Sequence, residues 1–355
     1  MQTMNKYLYR DDQPLAHGGV CMSATIRQQP EDFQVIEQLG YELEGAGDHQ
    51  WLLLEKTNTN TDMLARDLAK FARVRPVDVG FAGLKDRNAV TRQWFSIDLS
   101  GKEPPDWSAF EQQYPLIRVI EVVRHRRKLK RGGLHSNRFV IRVLHIEMIE
   151  ETNKICIEER VRQIQARGVP NYFGPQRFGH GGENVIKGLH ALSAKKRSLD
   201  RHKRSIYLSA LRSFLFNQVL ARRVSENTWT QYLPGDVLML DGTSSIFVPQ
   251  ADEPDLQTRM DAFDVHVTGP LWGEGVLRTQ DEVEQVEKAI AADYAEVAEL
   301  LQSVRNLNQE RRSLRLSVKN LVAHYEENAT TLSFELEKGA YATSVLREIF
   351  CFAEH

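Results

Sequence analysis

Apolar residues at every second position mark the first strands of this chain. In 31–39, EDFQVIEQL, Phe33, Val35 and, less cleanly, Leu39 alternate with polar side chains, the period of an extended chain with one buried face. A Gly-rich turn, GAGDHQ, separates this stretch from WLLLEK (51–56), a short apolar run suited to a buried strand. The period then changes. Leu64, Leu68 and Phe71 share one face of a helix over 61–75, with Thr61 or Asp62 as its cap and Pro76 blocking its continuation. Strands follow at 77–84 (VDVGFAGL), 93–99 (QWFSIDL) and 139–146 (FVIRVLHI). Helical spacing returns at 154–167 through Ile157, Val161 and Ile164, closed by Gly168 and Pro170. It continues at 205–225 through Leu208, Leu211, Leu215 and Val219, and in an acidic helix over 281–302. LRLSV (314–318) and TLSFELE (331–337) read as closing strands, and 341–352 as a last helix. Strands and helices alternate without a regular βαβ rhythm, which predicts an α+β fold with a mixed, mainly antiparallel sheet. A boundary falls near Gly168.

A chain of 355 residues, 41% of them apolar, can build sizeable cores, and its length predicts two domains. The net charge of -2 leaves any polyanion partner to be decided by charge distribution. Cys21, Cys156 and Cys351 are odd in number and widely spaced, so neither a zinc ribbon nor a disulfide framework is expected, and a reducing cytoplasm fits. The N-terminal stretch lacks the apolar core of a secretory signal, and no stretch reaches the roughly 18 apolar residues of a membrane span. P-loop, dinucleotide fingerprint, HExxH and GxSxG are all missing. What remains is chemistry with no metal and no cofactor.

The cations are clustered. Residues 124–131, RHRRKLKR, hold six cations in eight positions, and 195–204, KKRSLDRHKR, form a second block, while acids gather at 281–299. Each block could be a solvated surface; together with interleaved aromatics they point to nucleic acid, with Arg126, Arg127 and Lys128 as candidate RNA contacts. A third feature is LKDRN (84–88), where Asp86 sits between Lys85 and Arg87 at the junction of two apolar strands. An ordinary turn accounts for Asp and Asn there. A cleft-facing carboxylate flanked by cations could instead act as nucleophile or base.

Six stretches identify a relative. PEDFQVIE (30–37), GLKDRNAVTRQW (83–94), RHRRKLKRG (124–132), NYFGPQRFG (171–179), KRSIYLSALRSFLFNQ (203–218) and LEKGAYATSVLRE (336–348), in that order, resemble the TruD family of tRNA pseudouridine synthases over nearly the whole chain. The resemblance implies isomerisation of a uridine in tRNA, usually uridine 13 of the D arm, without cofactor or metal. It implies a pseudouridine synthase core of 1–167 and 313–355 with an inserted smaller α/β domain at 168–312. It also implies a cytoplasmic monomer whose partner is tRNA and not a membrane. Asp86 matches the family's catalytic aspartate. Phe33 matches the phenylalanine lining the uracil pocket, Asn137 the asparagine of the GNxF element (Ser136 replaces its Gly), and Phe334 the aromatic before GxYAT. Arg347 is a candidate partner of Asp86, with an exposed or phosphate-facing arginine as the alternative. Two rival readings are a non-catalytic RNA-binding protein or RNA chaperone, and a glycosidase pairing Asp86 with Asp78 or Asp98.

Overall fold

A computed structural model describes residues 6–194, 199–250, 253 and 255–352. In chain order the regular elements are β1 (Met22–Thr25), β2 (Phe33–Gln38), β3 (His49–Thr57), α1 (Thr61–Phe71), β4 (Val79–Phe81), β5 (Val90–Asp98), α2 (Trp107–Gln113), β6 (Ile117–His125), β7 (Ser136–His145) and α3 (Glu151–Arg167). There follow β8 (Val169–Pro170), α4 (Asn184–Ser193), α5 (Arg201–Ser225), β9 (Leu238–Leu240), β10 (Ile246–Phe247), α6 (Leu256–Asp261), β11 (Val265–Leu271), α7 (Asp281–Asp293) and α8 (Ala295–Ser303). The chain closes with β12 (Glu310–Ser313), β13 (Arg315–Leu316), β14 (Lys319–Tyr325), β15 (Ala329–Glu337), α9 (Ala342–Leu346) and β16 (Phe350–Phe352).

These elements gather into two compact units. One holds Cys21–Val161, Val318–Ala340 and the chain from Phe350 on; the other holds the chain up to Val20, Arg162–Ser317 and Tyr341–Ile349. The segments up to Val20 and over Tyr341–Ile349 thus group with the central part of the chain, whereas the sequence reading put them with the terminal parts.

The first unit is built on one large mixed sheet, in the order β14-β15-β7-β2-β5-β3-β6, with β4 on β5 and β1 between β7 and β16. All its pairings are antiparallel except β2 with β5 and β1 with β16. On one face, Leu52, Leu54, Phe95 and Ile97 pack under Leu64 and Leu68 of α1 and under Trp107 and Phe110 of α2. On the other, Trp51, Trp94, Leu129 and Leu134 form a second apolar cluster. At Gly80 a Cβ would come within 2.3 Å of the Leu129 carbonyl, so only glycine lets the 128–130 segment lie directly on β4.

Several expectations are corrected here. Asn60, not Thr61 or Asp62, caps α1, accepting from the Asp62 and Met63 amides. The strand over 77–84 shrinks to Val79–Phe81, because Pro76–Asp78 is a 3-10 turn clasped by the Arg75–Asp78 pair. Strands β6 and β14 were not foreseen. The last helix ends at Leu346, and Phe350–Phe352 pairs in parallel with Met22–Ala24: an available strand partner overrides weak helical spacing. Cys21 and Cys156 are joined in a disulfide, with Cα atoms 5.6 Å apart, contrary to the reading of isolated thiols. Sequence separation hid a proximity set by the fold; Asn153 of α3 also donates to the Cys21 carbonyl at 3.0 Å.

The second unit centres on α5, whose buried face includes Leu211, Phe214, Leu215, Phe216 and Leu220. The sheet β10-β9-β11-β12 belongs to the same unit. The acidic helix of 281–302 is two helices, broken at Tyr294 (φ -121°, ψ 42°). The Tyr294 ring meets Phe214 edge-on at 5.0 Å and lies 6.1 Å from Tyr7, so core packing sets the break. Two buried ion pairs fix this unit, Arg311–Glu287 at 2.6 Å and Arg223–Asp236 at 3.0 Å. In the second, Arg223 Nη1 donates to Asp236 Oδ1 and Nη2 to Oδ2, and the Leu233 amide adds a third bond. Removing one partner strands a buried charge. Asp236→Asn should therefore cost about 3–5 kcal/mol, read as a lowered urea midpoint with little change in slope.

Candidate active site

The register of five strands collects the candidate residues on one face of the large sheet. Antiparallel pairing sets Phe33 opposite Ile141, Val35 opposite Phe139 and Glu37 opposite Asn137. On the far side of β7, Phe139 faces Phe334 and Asn137 faces Leu336. The parallel pair of β2 and β5 adds Thr91 beside Val35, and β3 places Lys56 beside Thr91 and Leu54 beside Gln93. Because alternate residues share a face, Phe33, Val35, Glu37, Asn137, Phe139, Phe334, Thr91, Gln93 and Lys56 form one surface, and all are buried. Phe139 stacks on Phe334 at 5.5 Å and meets Phe33 edge-on at 6.2 Å. Three aromatic rings thus adjoin a row of buried polar groups. The Asn137 Oδ1 and Thr91 Oγ1 atoms in that row have no hydrogen-bond partner among the described residues.

Asp86 stands above this face in the loop joining β4 to β5. Side-chain bonds from three elements hold the loop. Gln93 of β5 donates to the Gly83 carbonyl at 2.6 Å. Thr61 of α1 bridges Gln93 Oε1 and the Lys85 amide, at 3.2 and 3.1 Å. Lys85 turns inward and pairs with Glu37 at 2.7 Å, both side chains buried, and Glu37 also accepts from the Trp94 amide at 2.9 Å. The flanking cation is therefore an anchor. Asp86 turns the other way, with its side chain 40% exposed, and accepts from Arg27 Nη2 at 2.8 Å. The Arg27 guanidinium lies over the Phe33 ring at 4.0 Å, a cation–π distance. Arg27 itself has φ 62°, a conformation that costs a non-glycine residue of order 1–3 kcal/mol and clusters at functional sites.

Beneath the loop, the fully buried Lys56 ammonium donates to the Thr59 carbonyl at 2.7 Å and reaches the Asp86 carbonyl at 3.4 Å. Burial pushes this ammonium down to about 8, opposed by the negative charge of Asp86 and reinforced by Lys85.

The structure thus brings Phe33, Asn137 and Phe334 onto one face and joins Asp86 to Phe33 through Arg27. Within its own unit Arg347 donates to the Gln13 carbonyl at 2.7 Å and lies near Asp11, and Asp86 is paired within the other unit with Arg27. The acids of the glycosidase reading are engaged elsewhere, Asp78 with Arg75 and Asp98 with Ser100. In the first basic block Arg126 pairs with Glu44 at 3.2 Å and Lys128 is bonded to the Val77 carbonyl. Arg127 is exposed, and its backbone carbonyl receives the Trp51 indole. Residues 195–198 of the second block lie outside the described residues. Among the described residues no group of three or more His, Cys, Asp or Glu side chains is placed to hold a metal ion, and no helix is long and apolar enough to cross a membrane.

Sequence reasoning missed Arg27, Lys56 and Glu37. Glu37 was accessible, since it continues the alternation of Phe33 and Val35. Lys56 ends an apolar strand run and reads as its polar boundary. Arg27 gave no signal, because a left-handed turn alone directs it to Asp86.

The family described as tRNA pseudouridine synthase D (TruD) matches residues 15–188 and 183–349. The chain is 47% identical to the tRNA pseudouridine synthase D of Nitrosococcus oceani, covering 95% of this chain and 94% of that one. It is 46% identical to that of Methylococcus capsulatus (96% and 95%) and 38% to that of Hydrogenovibrio crunogenus (94% and 95%). The solved TruD structure from Methanosarcina mazei shares the fold, with a TM-score of 0.76 at 22% identity over 97% of this chain and 95% of that one. With a family match spanning most of its length and relatives this similar, the chain belongs to the TruD family of tRNA pseudouridine synthases.

Proposed function

We propose that this chain converts uridine 13 in the D arm of tRNA to pseudouridine, with Asp86 as the group that acts on the sugar. The observation that supports this most directly is the position of Arg27, one flat cation bonded to Asp86 and lying over Phe33. It spans the two residues that a nucleoside would span, sugar toward the carboxylate and base against the ring. The reaction breaks the C1′–N1 bond, turns the uracil and joins C1′ to C5, so nothing is oxidised and no energy source is consumed. Asp86 either attacks C1′ or removes a sugar proton to give a glycal; the proton on C5 leaves once the new bond has formed. Phe33 and Phe334, both closed off in this structure, are assigned to the wall of the pocket that takes the detached base, where a stacked base contributes roughly 1–3 kcal/mol once Arg27 leaves the Phe33 ring. Asn137, whose Oδ1 has no hydrogen-bond partner among the described residues, meets a uracil N–H. The uridine must first leave its stack, at a cost of a few kcal/mol, and phosphate contacts from Arg126, Arg127 and Lys128 offset that cost.

The same reading makes 168–312 the family's inserted domain. Support comes from the grouping of Arg162–Ser317 in one compact unit, which brackets those bounds. A cytoplasmic place of work follows from the tRNA substrate, and the proposed chemistry asks for neither cofactor nor second subunit.

Asp86→Asn should abolish pseudouridine formation in a carbodiimide primer-extension assay while leaving tRNA affinity unchanged, because the amide keeps the shape and loses the charge. Conversion at the wild-type rate would remove Asp86 from the mechanism. Neutralising Arg126, Arg127 and Lys128 together should weaken tRNA binding and flatten its salt dependence by between about 1 and 2.7 in log–log slope; an unchanged slope would take the block out of the interface.

Lys56 gives a pH signature. Below pH 8 it is charged in both the folded and unfolded states, and burial penalises the fold in full. Between about 8 and 10.5 the folded state sheds the proton first, so stability rises with pH. Relative to Lys56→Met, the wild type should gain on the order of 3 kcal/mol across that window, measured by urea unfolding at successive pH values. A pH-independent difference would mean that the ammonium is not desolvated.

A further inference from the structure

The second compact unit contains a cleft of about 520 Å³, within the range of small-molecule sites, and its chemistry is one-sided. Arg201, Arg204, Arg212 and Arg312 line it together with Ser205 and Phe173, and no carboxylate is among its lining residues. Residues 201, 204, 205, 208 and 212 recur at three- and four-residue spacing, so one stripe of α5 forms the wall.

The four cations differ in freedom. Arg212 is a fixed strut: its Nη2 donates to the Leu271 and Asn308 carbonyls, each at 2.8 Å, and pairs with the exposed Glu310 at 3.3 Å. Its Nε is buried and has no hydrogen-bond partner among the described residues. Arg312 lies flat over the Phe173 ring at 4.3 Å. Phe173 is held in turn by Asn217, which bonds its amide and its carbonyl, both at 2.9 Å. Arg177 lies 5.3 Å from the same ring, so Phe173 is shared between two guanidinium groups and is not offered to a base. Arg201 and Arg204, on the first turns of α5, are exposed and make no ion pair among the described residues.

We infer that this cleft is a phosphate site, in which Arg201 and Arg204 close on a backbone phosphodiester of the RNA against a wall set by Arg212 and Arg312. The fork geometry of arginine fits phosphate oxygens in pairs, and the N-terminal end of a 25-residue helix adds a favourable field. This rests on the tRNA-modifying reading for the identity of the polyanion; the arginines are remote in sequence from Asp86 and do no chemistry.

The test is the double variant Arg201→Gln with Arg204→Gln. Neither side chain has a hydrogen-bond or ion-pair partner among the described residues, so the fold should be retained. Labelled tRNA is titrated over a range of potassium chloride concentrations, and pseudouridine formation is followed in single turnovers at saturating enzyme. The expected result is at least tenfold weaker binding and a salt slope shallower by about 2, with the saturated single-turnover rate unchanged. Arg222→Gln, at the far end of α5, should behave as wild type. Wild-type affinity and slope in the double variant would overturn the inference. So would a lower saturated rate at unchanged affinity, or thermal protection of the wild type by inorganic phosphate with RNA binding intact in the variant. If the wild type makes no pseudouridine while the double variant still loses RNA affinity, the phosphate site stands and the catalytic reading falls.

Discussion

A single buried ion pair sets the geometry on which the site depends. Lys85 and Glu37 are both withdrawn from water, and burying two charges costs several kcal/mol per ion unless they meet each other with good geometry. The pair is therefore a demanding constraint: the loop must place Lys85 at one spot on β2 or leave a charge stranded. Glu37 lies on the same face of β2 as Phe33, so the strand that presents the aromatic ring also anchors the loop bearing Asp86. The neighbouring residue is then directed outward, where Arg27 meets it. The placement of the carboxylate relative to the ring is thus a consequence of β-sheet alternation and one desolvated charge pair.

Much of the fold was legible because strand and helix periods are written in apolar residues. Phe33 and Val35 marked β2, Leu64 and Leu68 marked α1, and the stripe from Leu208 to Val219 marked α5. The failures share a cause. Tyr294 breaks a helix whose spacing is continuous, because its ring is held by Phe214. Phe350 leaves a helical pattern because β1 offers it a parallel partner. In both cases a contact distant in sequence outweighs a local preference. Resemblance, and not spacing, singled out Asp86, Phe33, Asn137 and Phe334 as candidates; from spacing alone, the two phenylalanines look like ordinary core, and in the folded chain they are nearly inaccessible. Arg27 was beyond reach, since its role comes from a backbone turn that no side-chain pattern encodes.

Arginine recurs in one role across both units: a planar cation laid on an aromatic ring. Arg27 covers Phe33, Arg131 covers Phe81 at 4.1 Å, Arg312 covers Phe173 and Arg315 covers Phe263 at 4.2 Å. Such stacking keeps a guanidinium oriented while its N–H edge bonds an acceptor: Asp86 for Arg27, Asn171 for Arg312 and His266 for Arg315. A protein with net charge near zero can thereby present directed positive groups without a broad cationic surface.

The chain changes unit after Val20, Val161, Ser317, Ala340 and Ile349, and this bears on how the protein is made. Strands β2 to β7 leave the ribosome early, yet β7 waits for β15 to complete its second edge. Until then a long, apolar-rich edge is open to pairing with other nascent chains, the hazard that exposed edges carry. Neither unit is a contiguous segment. Phe350–Phe352 emerge after β2 to β15 and add the strand that pairs with β1, so the sheet closes late in synthesis.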